Sequence, residues 1–336
     1  ASAGPRVLGY KPLMQQRRVV IVSPVRAEAN NGNWQTAHRW WQWLAPHSRR
    51  IVQSWPDARA DDDEIMLALH ARRSAAAVQA WHAQHGARGL GVVLTGTDLY
   101  RDIHTDPLAQ RSLLLAHSLA VLHPLGVRAL PQAHQAKARV IVQSARPRQA
   151  LAKTTRHLRA LMVGHLRDEK DPLTLMNAAR RLPADAGILI DHIGAALEPA
   201  LGEAALHTHI QCAHYRWLGE RRHAETRQRI QRAHVLVHTS RLEGGAHVLI
   251  EAINSGTPVL ATRIDGNVGL LGEDYAGLFD VGDDRTLSNR LQACRAQQDR
   301  GLLATLREQC AARASLFEPR AEQAALHRWV QDLWIR

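Results

Sequence analysis

Short apolar runs alternate along this chain with longer stretches in which apolar positions recur at three- and four-residue spacing. The first pattern suits buried strands and the second amphipathic helices. In the first half, strands are expected at Val19–Val22, Ile51-Val52, Ile65–Leu69, Leu90–Leu94, Leu119–Leu122 and Val140–Val142. In the second half they are expected at Ala160–Val163, Ile188–Ile193, Tyr215–Leu218, Val235–Val237 and Val259–Ala261. Strand–helix alternation of this kind predicts parallel α/β architecture. The basic, proline-containing stretch Arg146–Arg156 divides the pattern, giving two doubly wound, Rossmann-like domains over residues 17–150 and 151–316. Phe317–Trp334 predicts a final amphipathic helix with Leu326, Trp329, Val330 and Leu333 on one side.

Composition narrows the class. With 336 residues, 45% hydrophobic and 22% charged, the chain has the profile of a globular protein with a sizeable core. No apolar run approaches the roughly 20 residues of a membrane span, and Ala1–Gln16 lacks a signal-peptide core, so membrane insertion is not expected and a cytoplasmic location is the default expectation. Cys212, Cys294 and Cys310 show neither C-x-x-C nor zinc spacing and read as reduced bystanders. No metal site is expected, because the 20 histidines include no His-x-x-x-His pair beside an acidic ligand. The formal charge of +12 is spread over Arg17-Arg18, Arg49-Arg50, Arg72-Arg73, Arg180-Arg181 and Arg221-Arg222. Such scatter suits a solvated surface and anionic small ligands better than a nucleic-acid platform.

Ligands of open parallel sheets bind outside the carboxyl ends of the strands. Those ends carry His70, Thr95-Gly96-Thr97-Asp98, Gly164–Arg167, Gly194 and His238-Thr239-Ser240, which predicts a cleft between two polar edges. Glu243-Gly244-Gly245 reads as a turn, Ala246–Ser255 as a helix, and Gly256 as its stop. Eight helical residues span roughly 12 Å, a separation that lets Glu243 and Glu251 grip opposite ends of an extended ligand. Asn30–Trp34 is either an ordinary strand-to-helix turn or an anion cradle, with Gly32 allowing close approach and Asn33 as N-cap. His70 is either a satisfied core histidine or a proton donor, and Asp98 either a cap or a polar site residue. Lys170 and Arg167 fall in the loop before a helix capped by Asp171 with Pro172 in its first turn. Asp61–Glu64 precedes a strand, at the edge away from the cleft, and reads as a solvated turn.

The motifs Gly164–Lys170, Ser240–Glu251 and Ser255–Val259 resemble the GT-B glycosyltransferases of the family 4 type over about Val19–Phe317. That resemblance implies that the second domain binds a nucleotide sugar. Glu251 would hold the ribose, Glu243 the transferred sugar, and the Gly244-Gly245-Ala246 amides the sugar or phosphates. Lys170 would hold the diphosphate, with Ser240 beside it and the base near Gly194, Trp217 and Leu218. The family's final helix crosses back onto the first domain, which suits residues 317–336. His165 stands where the family has a diphosphate-binding arginine, which assigns that role to Arg167, and Gly266–Gly269 lacks the family's usual glutamate.

Asn30–Ala37, Leu94–Ile103 and Val163–Leu173 resemble the selenosugar synthases of selenoneine biosynthesis more particularly. This implies a UDP-sugar donor, UDP-N-acetylglucosamine or UDP-glucose, and selenophosphate as acceptor. It also implies no cofactor and a hand-off of the selenosugar to the next pathway enzyme. Asn31, Gly32 and Asn33 would hold the acceptor with Arg72, Arg73, Thr97, Asp98 and Arg101, while His70, Lys170, Arg167 and Glu243 would serve the chemistry. A conventional glycosyltransferase acting on a sugar or lipid hydroxyl is the first alternative. A basic nucleic-acid-binding protein is the second.

Overall fold

A computed structural model of the protein describes residues 16–24, 32–296 and 300–335. Asn30 and Asn31 lie outside them. Six parallel strands form the first sheet: β1 (Arg18–Val22), β2 (Ser48–Val52), β3 (Ile65–Leu69), β4 (Leu90–Leu94), β5 (Ser118–Val121) and β6 (Ala138–Val140), in the order β2-β1-β3-β4-β5-β6. The second holds β7 (Leu158–Val163), β8 (Ile188–Ile193), β9 (Tyr215–Trp217), β10 (Val235–His238), β11 (Val259–Thr262) and β12 (Leu278–Phe279), in the order β12-β11-β10-β7-β8-β9. Strands such as β3 and β4 are buried at every residue because helices cover both sheet faces, so they read as unbroken apolar runs. β12 has two residues, too few to show a period, and was not anticipated from the sequence.

Strand order reverses between β1 and β3 in the first sheet and between β7 and β10 in the second. At such a switch point, neighbouring strands send their connections to opposite faces and leave a crevice at their carboxyl ends. The helix that follows β1 begins at Gly32 and Asn33, and the loop after β3 holds His70. The loops after β7 and β10 hold Arg167, Lys170, Ser240 and Glu243.

The final helix, Pro319–Ile335, joins the core of the first sheet. Leu326, Trp329, Val330 and Leu333 are all buried there against Val19, Ile21, Leu67 and Trp40, as their spacing predicts. Trp329 Nε1 donates to Ser118 Oγ at 2.9 Å, satisfying the one polar group of a large buried ring. Phe317, two residues before the helix, belongs to the core of the second sheet. The chain therefore crosses between the two cores within a few residues.

Four local expectations are corrected. β6 ends at Val140 rather than Val142, because the chain turns away there into the crossover toward β7. The first helix starts at Gly32, so Asn33 lies inside its first turn and does not cap it, and Trp40 is its buried tryptophan. The helix after Glu243 is shorter than expected, His247–Ile253, since Gly244–Ala246 form a loop against the first sheet. Within Asp61–Glu64, Asp63 is buried rather than solvated: it accepts from Trp55 Nε1 at 3.0 Å and pairs with Arg50.

Candidate active site

Glycine chemistry brings the two sheet edges together. A Cβ on Gly244 would lie 2.4 Å from the carbonyl carbon of Thr95, so only a residue without a side chain lets the loop after β10 rest on the loop after β4. Within the second sheet, a Cβ on Gly194 would lie 1.9 Å from Gly164 O, holding the ends of β7 and β8 in close contact.

At the second switch point, Lys170 Nζ is in direct contact with Glu243 Oε1. Ser240 Oγ donates to the same oxygen at 2.8 Å, and His238 Nε2 lies 3.2 Å from it. No hydrogen bond from a described residue ends on Oε2. Burial alone would push the Glu243 carboxyl up, but Lys170 and His238 outweigh it and hold the group well below the usual carboxylate range. Lys170 is placed by the helix Pro172–Arg180, whose N-cap Asp171 accepts from Thr174 N and Oγ1 as the Asp-Pro signal predicts. Arg167 is partly exposed, with Nε 3.9 Å from Glu169 Oε2.

Glu251 projects from the next helix into a different setting. His223 Nε2 lies 2.9 Å, Arg227 Nη1 3.3 Å and His247 Nδ1 3.7 Å from its Oε1. Burial raises its pKa, whereas these three groups lower it more strongly, to about 2. Glu251 borders a cavity of about 370 Å³ between the sheets, shared with Arg39, Ser144, Arg148 and Arg227. Near the end of β8, Trp217 Nε1 donates to Gly194 O at 2.9 Å and Leu218 N to His192 O at 2.8 Å. His165 Nδ1 accepts from Ala195 N at 3.1 Å, so this ring braces the loop on that side.

On the facing edge, His70 directly follows β3 with φ of 74°, a left-handed conformation unusual for a histidine. Its Nε2 lies 3.0 Å from Thr97 Oγ1, and its pKa is lowered by burial, with Arg73 and Arg72 adding to the fall against Asp98 and Asp102. Asp98 is fully enclosed and accepts from the backbone N–H groups of Ala71, Thr95 and Gly96 at 2.8–2.9 Å. It holds the Thr95–Thr97 loop from beneath through these backbone bonds. Arg72 Nε bonds Asp102 Oδ2 at 2.8 Å, and Arg101 Nε bonds Oδ1 at 3.2 Å. Arg101 Nη1 also reaches Glu169 Oε1 at 3.3 Å, bridging the two edges beside Lys170. Arg73 is exposed, and Asn33 half-buried next to exposed Gly32.

Sequence patterning does not reveal the groups that hold Glu251 in place, His223, Arg227 and His247, whereas His238 beside Glu243 stands at the predicted cleft edge. Histidine and arginine on helices carry no periodic signal of a site. Among the described residues, no group of three or more His, Cys, Asp or Glu side chains is arranged to hold a metal ion, and no helix is long and apolar enough to cross a membrane. The three cysteines are buried and free.

Residues 143–314, about half of the chain, match the family model described as glycosyl transferases group 1. The chain belongs to that family. No curated protein sequence matches it. HepE from Anabaena, solved with UDP and glucose, is similar in structure at 15% identity and a TM-score of 0.72, over 94% of this chain and 100% of that one. Sucrose-phosphate synthase from Thermosynechococcus elongatus is similar at 15% identity and a TM-score of 0.71, over 95% and 99%. The UDP-forming α,α-trehalose-phosphate synthase from Burkholderia vietnamiensis is similar at 11% identity and a TM-score of 0.65, over 80% and 74%. These likenesses establish the fold, a GT-B arrangement of two α/β sheets with a closing C-terminal helix. Family membership establishes a glycosyltransferase.

Proposed function

We propose that this glycosyltransferase takes a UDP-sugar, UDP-N-acetylglucosamine or UDP-glucose, and transfers the sugar to selenophosphate. The reading is carried by Lys170 and Glu243, held together at the switch point of the second sheet with Glu243 Oε2 left open. An ammonium fixed by a half-buried carboxylate suits a diphosphate, and the open oxygen suits a sugar hydroxyl. Glu251, ionised and anchored through Oε1, suits the ribose diol. Gly194, Trp217 and Leu218 border the space for the base, and Gly244–Ala246 the sugar. The UDP in the HepE complex lends the donor class further support.

The acceptor side favours a nucleophile that arrives already ionised. Asp98 is saturated by backbone N–H groups and Asp102 is held by two arginines, so neither carboxylate is free to take a proton. Selenophosphate needs no strong base, and Arg72, Arg73 and Arg101 offer its phosphate positive charge, with Gly32 and Asn33 completing the acceptor set. Asn31 belongs to this set from sequence alone. The selenium attacks the anomeric carbon, the bond from that carbon to the diphosphate oxygen breaks, and UDP leaves against Lys170 and Arg167. Water then cleaves the phosphorus–selenium bond, releasing phosphate and the 1-selenosugar for the next enzyme of selenoneine formation. No cofactor or metal enters this scheme.

The decisive experiment incubates the protein with each UDP-sugar and selenophosphate and follows UDP and a selenium-containing sugar by mass spectrometry. Turnover with hydroxyl acceptors alone would establish the second reading, a conventional transfer. That reading would make His70 its base, although Nδ1 accepts from Arg73 N at 3.3 Å and Nε2 faces Thr97 Oγ1 at 3.0 Å.

A further inference from the structure

We infer that Glu322, on the C-terminal helix and outside the residues matched by the family model, is a positioning residue for Glu251, acting through Arg39 and His247. The inference rests on the reading of Glu251 as the donor carboxylate.

Glu322 is 1% exposed, and its carboxylate collects donors from two separate segments. Arg39 Nη2 reaches Oε1 at 3.1 Å, and Trp40 Nε1 reaches the same oxygen at 2.7 Å. Ser144 N and Oγ donate to Oε2 at 2.6 and 2.8 Å. Arg39 and Trp40 come from the helix Gly32–Trp43, and Ser144 from the crossover between the two sheets. The network then continues toward the cleft. Arg39 Nη1 lies 3.3 Å from His247 Nε2, that nitrogen lies 3.0 Å from Ser144 O, and His247 Nδ1 lies 3.7 Å from Glu251 Oε1.

Stability alone does not account for this arrangement. A buried ion pair is often no more stabilising than apolar side chains of the same volume, and Trp40 and Trp329 already supply an apolar wall here. An apolar residue at 322 could fill the space, but it could not turn the Arg39 guanidinium and the Ser144 peptide toward one imidazole at once. Both of those groups touch His247, and His247 faces Glu251. Glu322 thus sets the ring whose far side meets the carboxylate, and Arg39 and Glu251 border the same cavity. The C-terminal helix thereby reaches the donor half of the cleft through side chains, in addition to covering the first sheet.

The test compares Glu322→Gln, Arg39→Gln and Glu251→Gln in the full chain. Each is first checked by circular dichroism and thermal melting, then measured for UDP affinity by calorimetry and for kcat and KM with the UDP-sugar. Glu322→Gln is expected to raise the UDP Kd and the UDP-sugar KM about tenfold, the worth of roughly one charge-assisted hydrogen bond, with kcat within about twofold. Arg39→Gln leaves Glu322 bonded to Trp40 and Ser144, and gives the same split even if the Glu322 variant does not fold. Unchanged KM and UDP affinity in a folded variant, or a loss confined to kcat, overturns the inference so long as Glu251→Gln weakens UDP. If Glu251→Gln binds UDP normally, the donor-site reading falls first and this inference with it.

Discussion

Lys170 and Glu243 form an ion pair across the switch point of the second sheet, with the lysine and Ser240 both bonded to one carboxylate oxygen. The two side chains keep 17% and 12% of their exposure, so removing one partner costs less than the about 3–5 kcal/mol of a fully buried pair, but still leaves the other charge poorly compensated. Lys170→Met is therefore expected to melt well below the parent, and Lys170→Met with Glu243→Gln to recover most of the loss. Neither variant should be stabilised by UDP in a thermal shift assay, since ligand stabilisation requires preferential binding to the folded state. A UDP shift in either variant of parental size would remove Lys170 from the donor site.

Acid should weaken the fold in two stages. Burial holds His123, His192 and His234 at about 4 in the folded state, against 6.5 for the free side chain. Below pH 6.5 the unfolded chain binds protons that the folded chain refuses, so stability falls as pH drops toward 4 and then levels for these groups. The slope is at most about 1.4 kcal/mol per pH unit for each histidine. Glu251, held at about 2, contributes stability that is intact above its ordinary 4.5 and lost as pH falls toward 2. Urea titrations at pH 7.5 and 5 should differ by several kcal/mol. Equal midpoints would mean that these histidines are charged in the folded protein.

Gly244→Ala places a methyl group against the Thr95 backbone, where neither side can yield by rotating a side chain. Overpacking of this kind costs about 1–3 kcal/mol. The expected response is separation of the two edges, seen as a larger radius of gyration by X-ray scattering and a fall in kcat. A compact, fully active variant would show that contact between these loops is dispensable.

Arg101→Met removes the bridge to Glu169 at 3.3 Å. Exposed pairs contribute about 0–1 kcal/mol, so the melting point should barely move. The acceptor KM should rise about tenfold, while that for the UDP-sugar stays level. The reverse split would move Arg101 from the acceptor side to the donor side.

Asp98→Asn would turn an amide nitrogen or a weaker acceptor toward the N–H groups of Ala71, Thr95 and Gly96, at a cost of about 1–3 kcal/mol. Lost activity should return in part at low temperature, where the loop is better ordered. Unaltered stability would mean that the loop holds its shape without the carboxylate.

Much of the protein was legible in the chain itself. Buried parallel strands must be apolar at every position and their helices on one face, so β3 and β4 and the stripe Leu326–Trp329–Val330–Leu333 follow from local patterning. The Asp171-Pro172 helix start is likewise a local signal, legible because a cap and its helix are adjacent in sequence. Lys170 and Glu243 stand out by their motifs, but nothing local says that they touch, because that contact joins loops from strands made adjacent only by the reversal of strand order. The roles of Asp98, buried under its own loop, and of Glu322, reaching Arg39 and Ser144 from the last helix, likewise depend on which distant groups surround them. Sequence determined the elements and the residue types offered at their ends. Tertiary structure decided which charges are paired, which are buried and which remain open to a ligand, because those depend on the dielectric and the partners supplied by remote segments.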